Sequence, residues 1–457
     1  MLELFNQIMG TATPVAVLAV GGGFAALLRG LPFSRPRTCR RALRGLGKSA
    51  KSSFKSLMLA LAGTLGVGNI VGVSSAIALG GAGAVFWMWI SALFAMFLKY
   101  AEVVLAMLHR ETLSDGTCRG GAPYYIRAVL TRMGLPRLAA VAASIFALLC
   151  LANALMMGCV IQSNAVARAM EASFSVPPLL CGGVLAIACF TLLIFGRRVI
   201  SAVTGILVPI MSAAFLVLSL WILVIRREAI LPALAAIVSD AFSPFAMGGG
   251  ILGFLVSRGL RFGTIRGIIS NEAGCGTSPT AHAASGAKSP VEQGLFGIVE
   301  VAVDTLLLCT VTALVVIIHA DAAAPFANDP MIMTLRAYSA AAHGALWVEQ
   351  ALAIAILCFG FATLLCWAHY GTESLAFLLR NNKSAVQSTN ASLVFCLIFC
   401  LFAVIGAVSA PALVWSLTDL VTSAMTLINT AILTIAFPSV KKATSDYFGK
   451  SYPLQKK

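Results

Sequence analysis

The chain has 457 residues, of which 59% are hydrophobic and only 11% are charged, and its mean hydropathy is +0.94. Water-facing surface needs more charge than this, so the composition excludes a soluble protein and indicates an all-α polytopic membrane protein. The net charge of +15 does not indicate a nucleic-acid partner, because lysine and arginine occur mainly in short loops between apolar segments.

Hydropathy predicts about eleven transmembrane helices, because the apolar runs reach the ~18 residues needed to cross a bilayer. The predicted spans are residues 11–28, 56–79, 84–108, 138–166, 176–195, 199–225, 240–275, 294–318, 346–379, 391–408 and 411–437. The spans over 240–275 and 346–379 are long, so we expect them to be broken or tilted. The lipid bilayer is therefore an obligatory partner, and the sequence gives no sign of an obligate protein partner.

The orientation in the membrane follows from the distribution of basic residues. Residues 29–55, between the first two spans, hold nine lysines and arginines and no acid. Such loops stay in the cytoplasm, so we predict a multi-pass protein of the plasma membrane (the bacterial inner membrane) with its N-terminus outside and its C-terminus cytoplasmic. The loop at 226–228 is predicted to be external although it carries two arginines.

The second span contains the motif Gly63-Thr-Leu-Gly66-Val-Gly68-Asn69-Ile-Val-Gly72. Each glycine inside a helix costs on the order of 1 kcal/mol, so the cluster works against a continuous helix. Interrupted membrane helices mark the binding sites of transporters. The alternative interpretation is close helix packing through small residues.

A second anomalous segment, residues 240–275, carries Gly248-Gly249-Gly250, Gly253 and Gly259. Two interrupted helices at matching positions predict an inverted repeat of five plus five helices. We accordingly divide the chain into an N-terminal helix with its basic loop (1–55), a first repeat (56–239), a second repeat (240–437) and a cytoplasmic tail (438–457).

Polar side chains inside the spans are candidates for function. The free N–H groups expected near Gly66 and Asn69 suit a carboxylate, and free carbonyls on the other half-helix suit a sodium ion. Gln162 is equally consistent with ligand binding and with a bond between helices, whereas Asn153 is better explained by such a bond. Trp367, which lies near Thr363, is consistent with a pocket wall, with packing or with an anchor at the membrane interface.

Charged residues inside the spans are also candidates. Lys99 and Glu102 stand three residues apart, and we expect them to pair with each other. Glu300 and Asp304 lie four residues apart, so they either share a proton, take a cation, or pair with arginines. The arginines in question are Arg258, Arg261 and Arg266. We expect the solitary Asp419 to accept a bond from another helix.

The chain contains no phosphate-binding loop, no nucleophile elbow and no metalloprotease motif, so we predict neither an enzyme nor a cofactor. The twelve cysteines show no metal-ligand spacing and are expected to be free thiols.

Several long motifs together resemble the alanine or glycine:cation symporter family, the sodium:alanine symporters, from about residue 54 to 437. They are Gly66-Val-Gly68-Asn69-Ile-Val-Gly72, Lys99-Tyr-Ala-Glu102, Gly121-Ala-Pro-Tyr-Tyr-Ile126, Gln162-Ser-Asn164, Ser270-Asn-Glu-Ala-Gly-Cys-Gly276 and Asp304-Thr-Leu. The resemblance implies a leucine-transporter-type fold and sodium-coupled uptake of a small neutral amino acid, alanine or glycine, by alternating access.

The resemblance also implies roles for single residues. The implied substrate-binding residues are Gly66, Gly68, Asn69, Gln162, Gly250, Ile251 and Trp367. Sodium, the coupling ion, is implied to lie among the carbonyls of Ala62, Leu65 and Phe359 and the hydroxyl of Thr363.

The sequence departs from the family pattern at three of the relevant positions. Val67 and Ala362 each stand where the family usually has threonine, and Ile251 stands where an aromatic residue is usual. Because Ala362 removes one expected ligand for sodium, an alternative is a transporter of the same fold that carries another amino acid with protons. A receptor or a channel-like pore is the third alternative.

Overall fold

The computed structural model describes residues 2–34, 36–44, 50–114, 116–242, 258–380 and 385–451, and these residues are almost entirely helical. The first helices are α1 (Leu2–Leu27), α2 (Leu31–Ser34), α3 (Pro36–Arg44), α4 (Ala50–Thr64), α5 (Val71–Gly80) and α6 (Gly83–Leu108). A single 3₁₀ turn, Val67–Asn69, separates α4 from α5. The predicted interruption of the second span is therefore present.

The middle of the chain continues with a short hairpin and further long helices. Strands β1 (Glu111–Thr112) and β2 (Cys118–Arg119) pair antiparallel. The helices that follow are α7 (Ala122–Arg132), α8 (Pro136–Leu155), α9 (Ile161–Phe174), α10 (Pro178–Leu193), α11 (Arg197–Ile225) and α12 (Ile230–Ala241). A π-helical turn, Met156–Val160, joins α8 to α9, and a 3₁₀ turn, Arg227–Ala229, precedes α12.

The last part begins after the gap at 243–257. Its helices are α13 (Arg258–Asn271), α14 (Pro279–Ala283), α15 (Pro290–Val301), α16 (Thr310–Ile318), α17 (Ala320–Ala323), α18 (Pro330–Ala341), α19 (Leu346–Leu379), α20 (Ala385–Val408), α21 (Pro411–Ile435) and α22 (Phe437–Ser451). A π-helical segment, Ala302–Cys309, joins α15 to α16, and a 3₁₀ turn, Ala324–Phe326, follows α17.

Eight helical segments in the described part of the chain are long and apolar enough to cross a membrane, and α5 and α10 are shorter apolar helices. This confirms an all-α polytopic membrane protein. The predicted span 240–275 is not one continuous helix, because α12 ends at Ala241; α13 begins at Arg258, after residues that lie outside the described ranges. The predicted span 346–379 has the expected bounds and is one unbroken helix.

Helix α6 is the centre of the bundle. Within its most apolar window 83% of the residues are buried, against 33% for α11, so α6 is surrounded by protein whereas α11 largely faces outward. Glycines let neighbouring helices approach α6 closely. A Cβ on Gly263 of α13 would lie 2.2 Å from the carbonyl oxygen of Ala84, and one on Gly294 of α15 would lie 2.8 Å from Val104. Small residues at such contacts are typical of helix packing in membranes.

A glycine-rich turn joins α5 to α6. Gly81 adopts a φ of 79°, and the backbone N–H of Gly83 donates to Asp240 Oδ2 at 2.7 Å. The end of α12 thereby caps the start of α6.

Candidate functional site

Gly66 is where the chain leaves helix α4, and its lack of a side chain is required by its neighbours. It adopts an extended conformation, with φ of −108° and ψ of −159°. A Cβ on Gly66 would lie 2.8 Å from the Thr363 hydroxyl and 2.9 Å from Gln162 Oε1. We call the non-helical segment between α4 and α5 the first break. Gly66, at its start, lies between two polar side chains that come from α9 and α19.

Gln162 hydrogen-bonds the interrupted backbone directly. Its Oε1 accepts from the N–H of Val67 at 3.0 Å, and its Nε2 donates to the carbonyl of Met157 at 3.1 Å. Met157 lies in the π-helical turn before α9, and π turns often occur at functional sites. Gln162 thus hydrogen-bonds the first break, because its side-chain oxygen accepts the hydrogen bond of the Val67 N–H.

Four oxygen atoms converge next to the break. Thr363 Oγ1 lies 2.9 Å from the carbonyl oxygen of Ala62, 3.5 Å from that of Leu65 and 2.9 Å from that of Phe359. Ala62 and Leu65 are at the end of α4, where carbonyls lose their helical partners. Carbonyl and hydroxyl oxygens at the end of a half-helix are the ligands that coupling ions use in transporters of this architecture. The donor set therefore fits a sodium ion.

Asp304 connects the first break to a second one. Asn69 Nδ2 donates to Asp304 Oδ1 at 2.7 Å, and the hydroxyls of Ser270 and Thr305 donate to Oδ2 at 2.8 and 2.7 Å. All four side chains are buried. Asn69 Oδ1 has no partner among the described residues. Asn69 therefore lies at the junction of the two interrupted segments.

The second break follows α13. After Asn271, positive φ angles occur at Glu272 (54°), Gly274 (85°) and Gly276 (78°), and the chain becomes helical again at Pro279. We call residues 272–278 the second break; this non-helical segment is distinct from the interruption predicted at the glycines. The glycines at 248–253, which we predicted as the break, lie outside the described residues, and so do the candidate substrate ligands Gly250 and Ile251.

Trp367 is fully buried and packs against the π turn of Gly158, where an added Cβ would lie 2.2 Å from the tryptophan Cβ. Its ring makes an edge contact with Tyr370, with centroids 5.4 Å apart. Trp367 Nε1 has no partner among the described residues. Trp367 is therefore a packing residue of α19 that also carries an unused donor one helical turn from Thr363.

A small cavity beside the start of α5 is lined in part by an ion pair. Its lining includes Val71, Asn164 and Trp415 together with Arg168 and Asp329. Arg168 forms a salt bridge with Asp329 at the start of α18. This pair joins α9 to the start of α18 at the wall of the cavity.

The intramembrane charges pair differently from our expectation. Lys99 does not pair with Glu102 but forms a salt bridge with Glu300 at 3.2 Å. The prediction was wrong because the side chain of Lys99 faces α15, which supplies a closer carboxylate. Glu300 and Asp304 have separate partners rather than a common arginine, since Arg266 binds Asp419 at 2.7 Å. Asp419 is thus the expected interhelical acceptor.

Asn153 makes the expected contact between helices, because its Oδ1 accepts from the Thr422 hydroxyl of α21 at 3.3 Å. The contact of Ser270 with Asp304 and that of Gln162 with the carbonyl of Met157 were not predicted. Ser270 is in a motif that was noted, but only the fold shows that it faces Asp304. A π turn has no signal of its own in the sequence.

Comparison with known proteins gives a consistent result. The family model described as "Sodium:alanine symporter family" matches residues 1–456. The sodium/alanine symporter AgcS of Methanococcus maripaludis is 36% identical over 423 residues, which cover 90% of this chain and 89% of that protein. The probable sodium/glutamine symporter GlnT of Bacillus subtilis is 32% identical, with 98% of this chain and 91% of that protein covered.

The fold is also similar to that of solved transporters. The crystal structure of MhsT in complex with L-phenylalanine superposes with a TM-score of 0.52 at 14% identity, covering 86% of this chain and 91% of that one. At this identity the similarity concerns the fold alone.

The tight space around Gly66 generates a prediction about stability. Gly66→Ala places a methyl group against Thr363 and Gln162, and we expect a lower melting temperature, since overpacking typically costs about 1–3 kcal/mol. Gly72→Ala is the matched control. It lies in α5 with nothing within 4 Å of an added Cβ, so alanine should leave the melting temperature unchanged or raise it. Equal melting temperatures for both variants in detergent would contradict the geometry.

Proposed function

This chain belongs to the sodium:alanine symporter family, and we propose that it is a secondary active symporter that imports a small neutral amino acid, alanine or glycine, together with sodium. The observation that carries the proposal is the convergence of Gln162, Thr363 and the interrupted backbone at Gly66. The family is one of transporters, and nothing in the chain points to catalysis.

The substrate carboxylate is proposed to bind the backbone N–H groups between Gly66 and Asn69. In the structure the N–H of Val67 already donates to Gln162 Oε1, so this N–H is oriented to bind an oxygen atom. A carboxylate would replace that oxygen and free the glutamine amide to bind the substrate. Gly68 and Trp367 are assigned to the walls of this site, with Gly250 and Ile251 as further substrate residues by family resemblance. The two glycines and the buried ring favour a substrate with a small side chain.

Sodium is proposed to occupy the position between the carbonyls of Ala62, Leu65 and Phe359 and the hydroxyl of Thr363. These atoms belong to α4 and α19, so a bound ion would fix the half-helix α4 against α19. Substrate and ion would then act on the two sides of one break. That arrangement accounts for coupling, because each ligand would stabilise the backbone conformation that the other one needs.

Alternating access is proposed to move one bundle of helices against the other around the interruption at Gly66–Asn69 and the one predicted at Gly249–Gly253. We propose the plasma membrane as the location, with the N-terminus outside and the C-terminus cytoplasmic, on the strength of the basic residues at 29–55. The division into repeats at 56–239 and 240–437 is part of the same proposal.

A second candidate is uptake of a different amino acid or coupling to protons. It is supported by Ala362, which supplies no hydroxyl next to Thr363, and by the relative whose name refers to glutamine. Proteoliposomes with an inward sodium gradient, an inward proton gradient or neither separate the candidates when alanine, glycine and glutamine are compared. Saturable alanine uptake that requires sodium supports the main proposal, whereas uptake that ignores both gradients contradicts it.

The sodium site yields a prediction for Thr363. Thr363→Val keeps the shape of the side chain and removes the only side-chain oxygen of the site, so we expect the sodium concentration for half-maximal uptake to rise about tenfold or more. Ala362→Thr adds a hydroxyl and should lower that concentration. Thr372→Val is the matched control, because Thr372 lies on the same helix and its hydroxyl also donates to a backbone carbonyl, that of His369. Unchanged sodium dependence in Thr363→Val would refute the assignment.

The carboxylate site yields a prediction for Gln162. Gln162→Glu puts a negative charge on the N–H of Val67, where it competes with the substrate carboxylate and repels it. We expect the apparent KM for alanine to rise about tenfold or more while the sodium dependence changes little. Gln350→Glu, half-buried near the start of α19, controls for the added charge. A wild-type KM in Gln162→Glu would show that the carboxylate binds elsewhere.

A further inference from the structure

A cluster of ionisable side chains contacts the second break, and the proposed transport site does not use it. We call it the Lys99 cluster; its members are Lys99, Glu102, Glu272, His282 and Glu300. None of the five side chains has measurable exposure. They come from α6, the loop after α13, α14 and α15, so the cluster is formed only by the folded chain.

Glu300 is fully partnered. Its Oε1 accepts from Lys99 Nζ at 3.2 Å, and its Oε2 lies 2.8 Å from His282 Nε2. Gln293 Nε2 lies 2.8 Å from His282 Nδ1, so in this arrangement the imidazole accepts the amide proton and donates its own to Glu300. The positive charge of Lys99 is thereby neutralised by Glu300 within this part of the cluster.

Glu102 and Glu272 are left without a cation of their own. Glu102 Oε1 accepts from the N–H of Gly276 at 3.0 Å and from Asn429 Nδ2 at 2.5 Å, while its Oε2 has no partner among the described residues. Glu272 Oε2 accepts from the Thr277 hydroxyl at 2.5 Å, and its Oε1 likewise has no partner there. Each carboxyl group therefore has one bound oxygen and one unused, buried oxygen.

The charges of the cluster do not balance. One lysine against three glutamates gives a net charge of −2 if every carboxyl group is ionised, and even a doubly protonated His282 would leave −1. An uncompensated charge in the interior of a membrane protein is strongly unfavourable. The simplest way to remove the excess is to keep protons on the two carboxyl groups that have no cation.

The cluster also holds the second break in place. Three consecutive residues of the break each contact one ionisable member: Gly276 binds Glu102, Thr277 binds Glu272, and the Ser278 hydroxyl accepts from Lys99 at 2.5 Å. Asn429 links the break to α21 through the carbonyl of Gly274 at 2.8 Å. Movement of residues 272–278 would therefore change the surroundings of Glu102 and Glu272 at once.

We propose that Glu102 and Glu272 form a proton-binding site, in which both carboxyl groups carry protons while the break is packed as observed and release them when the break moves and water enters. The other titratable groups that face one or both of the two carboxyls are Lys99, Tyr125, Cys150, Cys275, Glu300, Asp304, Cys366 and Tyr370. Proton release from this site would make transport depend on pH. That consequence rests on the proposed function, whereas proton binding itself does not.

The melting temperature of the purified protein tests proton binding without any assumption about transport. Raising the pH from about 6 to about 9 removes protons from groups that remain buried, so the wild-type melting temperature should fall. Glu102→Gln and Glu272→Gln mimic the protonated form, and the double variant should lose at least about half of that fall. Glu228→Gln, at an exposed position, should keep the wild-type fall.

The proposal is overturned if the double variant and the wild type lose the same number of degrees over this pH range. Should the glutamine variants fail to fold, the wild type alone decides. A protonated carboxylic acid absorbs in the infrared as a distinct C=O band, and absence of any such band at neutral pH would refute the site.

Sodium-driven alanine uptake in proteoliposomes then measures the consequence. Wild-type uptake should depend on pH, and the double variant should lose that dependence while it still requires sodium. If no alanine is transported under any condition, the proposed function fails and the melting experiment still decides whether the site binds protons. Retained pH dependence in a transporting double variant would remove the link between this site and transport.

Discussion

The structure depends on one constraint: a backbone that leaves a helix inside a membrane must find its hydrogen-bond partners within the protein. Helix α4 ends at Thr64 and α5 begins at Val71. Between them, Gln162 accepts from the N–H of Val67 and Thr363 reaches the carbonyls of Ala62 and Leu65. These two side chains come from α9 and α19. The groups that satisfy the interrupted backbone are also the ones that we propose for the substrate carboxylate and the coupling cation, so in this proposal the structural and the functional requirements coincide.

Much of the helical architecture followed from the sequence, because apolar length and glycine clustering are local properties. The span predicted at 346–379 matches α19 residue for residue, and the break at Gly66–Asn69 is where it was expected. The pairing of charges was not predictable in this way. Lys99 was assigned to Glu102, three residues away, but binds Glu300 at a separation of 201 residues. Which face of α6 meets α15 is decided by tertiary packing, for example by the glycines at 294 and 297 that let the two helices approach each other.

In the candidate site, too, local sequence features could be predicted whereas contacts between distant residues could not. Asn69 and Gln162 were selected because polar side chains are rare in apolar helices, and both contact the broken segments. Ser270 was recognised only as part of a motif, although its hydroxyl binds Asp304 at 2.8 Å. Glu300 and Asp304 looked like one carboxylate pair in the sequence. The π-helical segment Ala302–Cys309 begins between them, so one faces Lys99 while the other faces Asn69. Two adjacent acids therefore belong to different parts of the molecule.

Mutual dependence of the two ligands is the central claim, and the melting temperature of the purified protein measures it most directly, because a ligand that binds the folded state raises it. Alanine is added in sodium chloride and, separately, in potassium chloride at equal ionic strength. The account predicts that alanine raises the melting temperature in sodium and has little effect in potassium, and that Thr363→Val abolishes the difference. An equal rise in both salts would contradict the account, since substrate binding would then not require the ion beside the break.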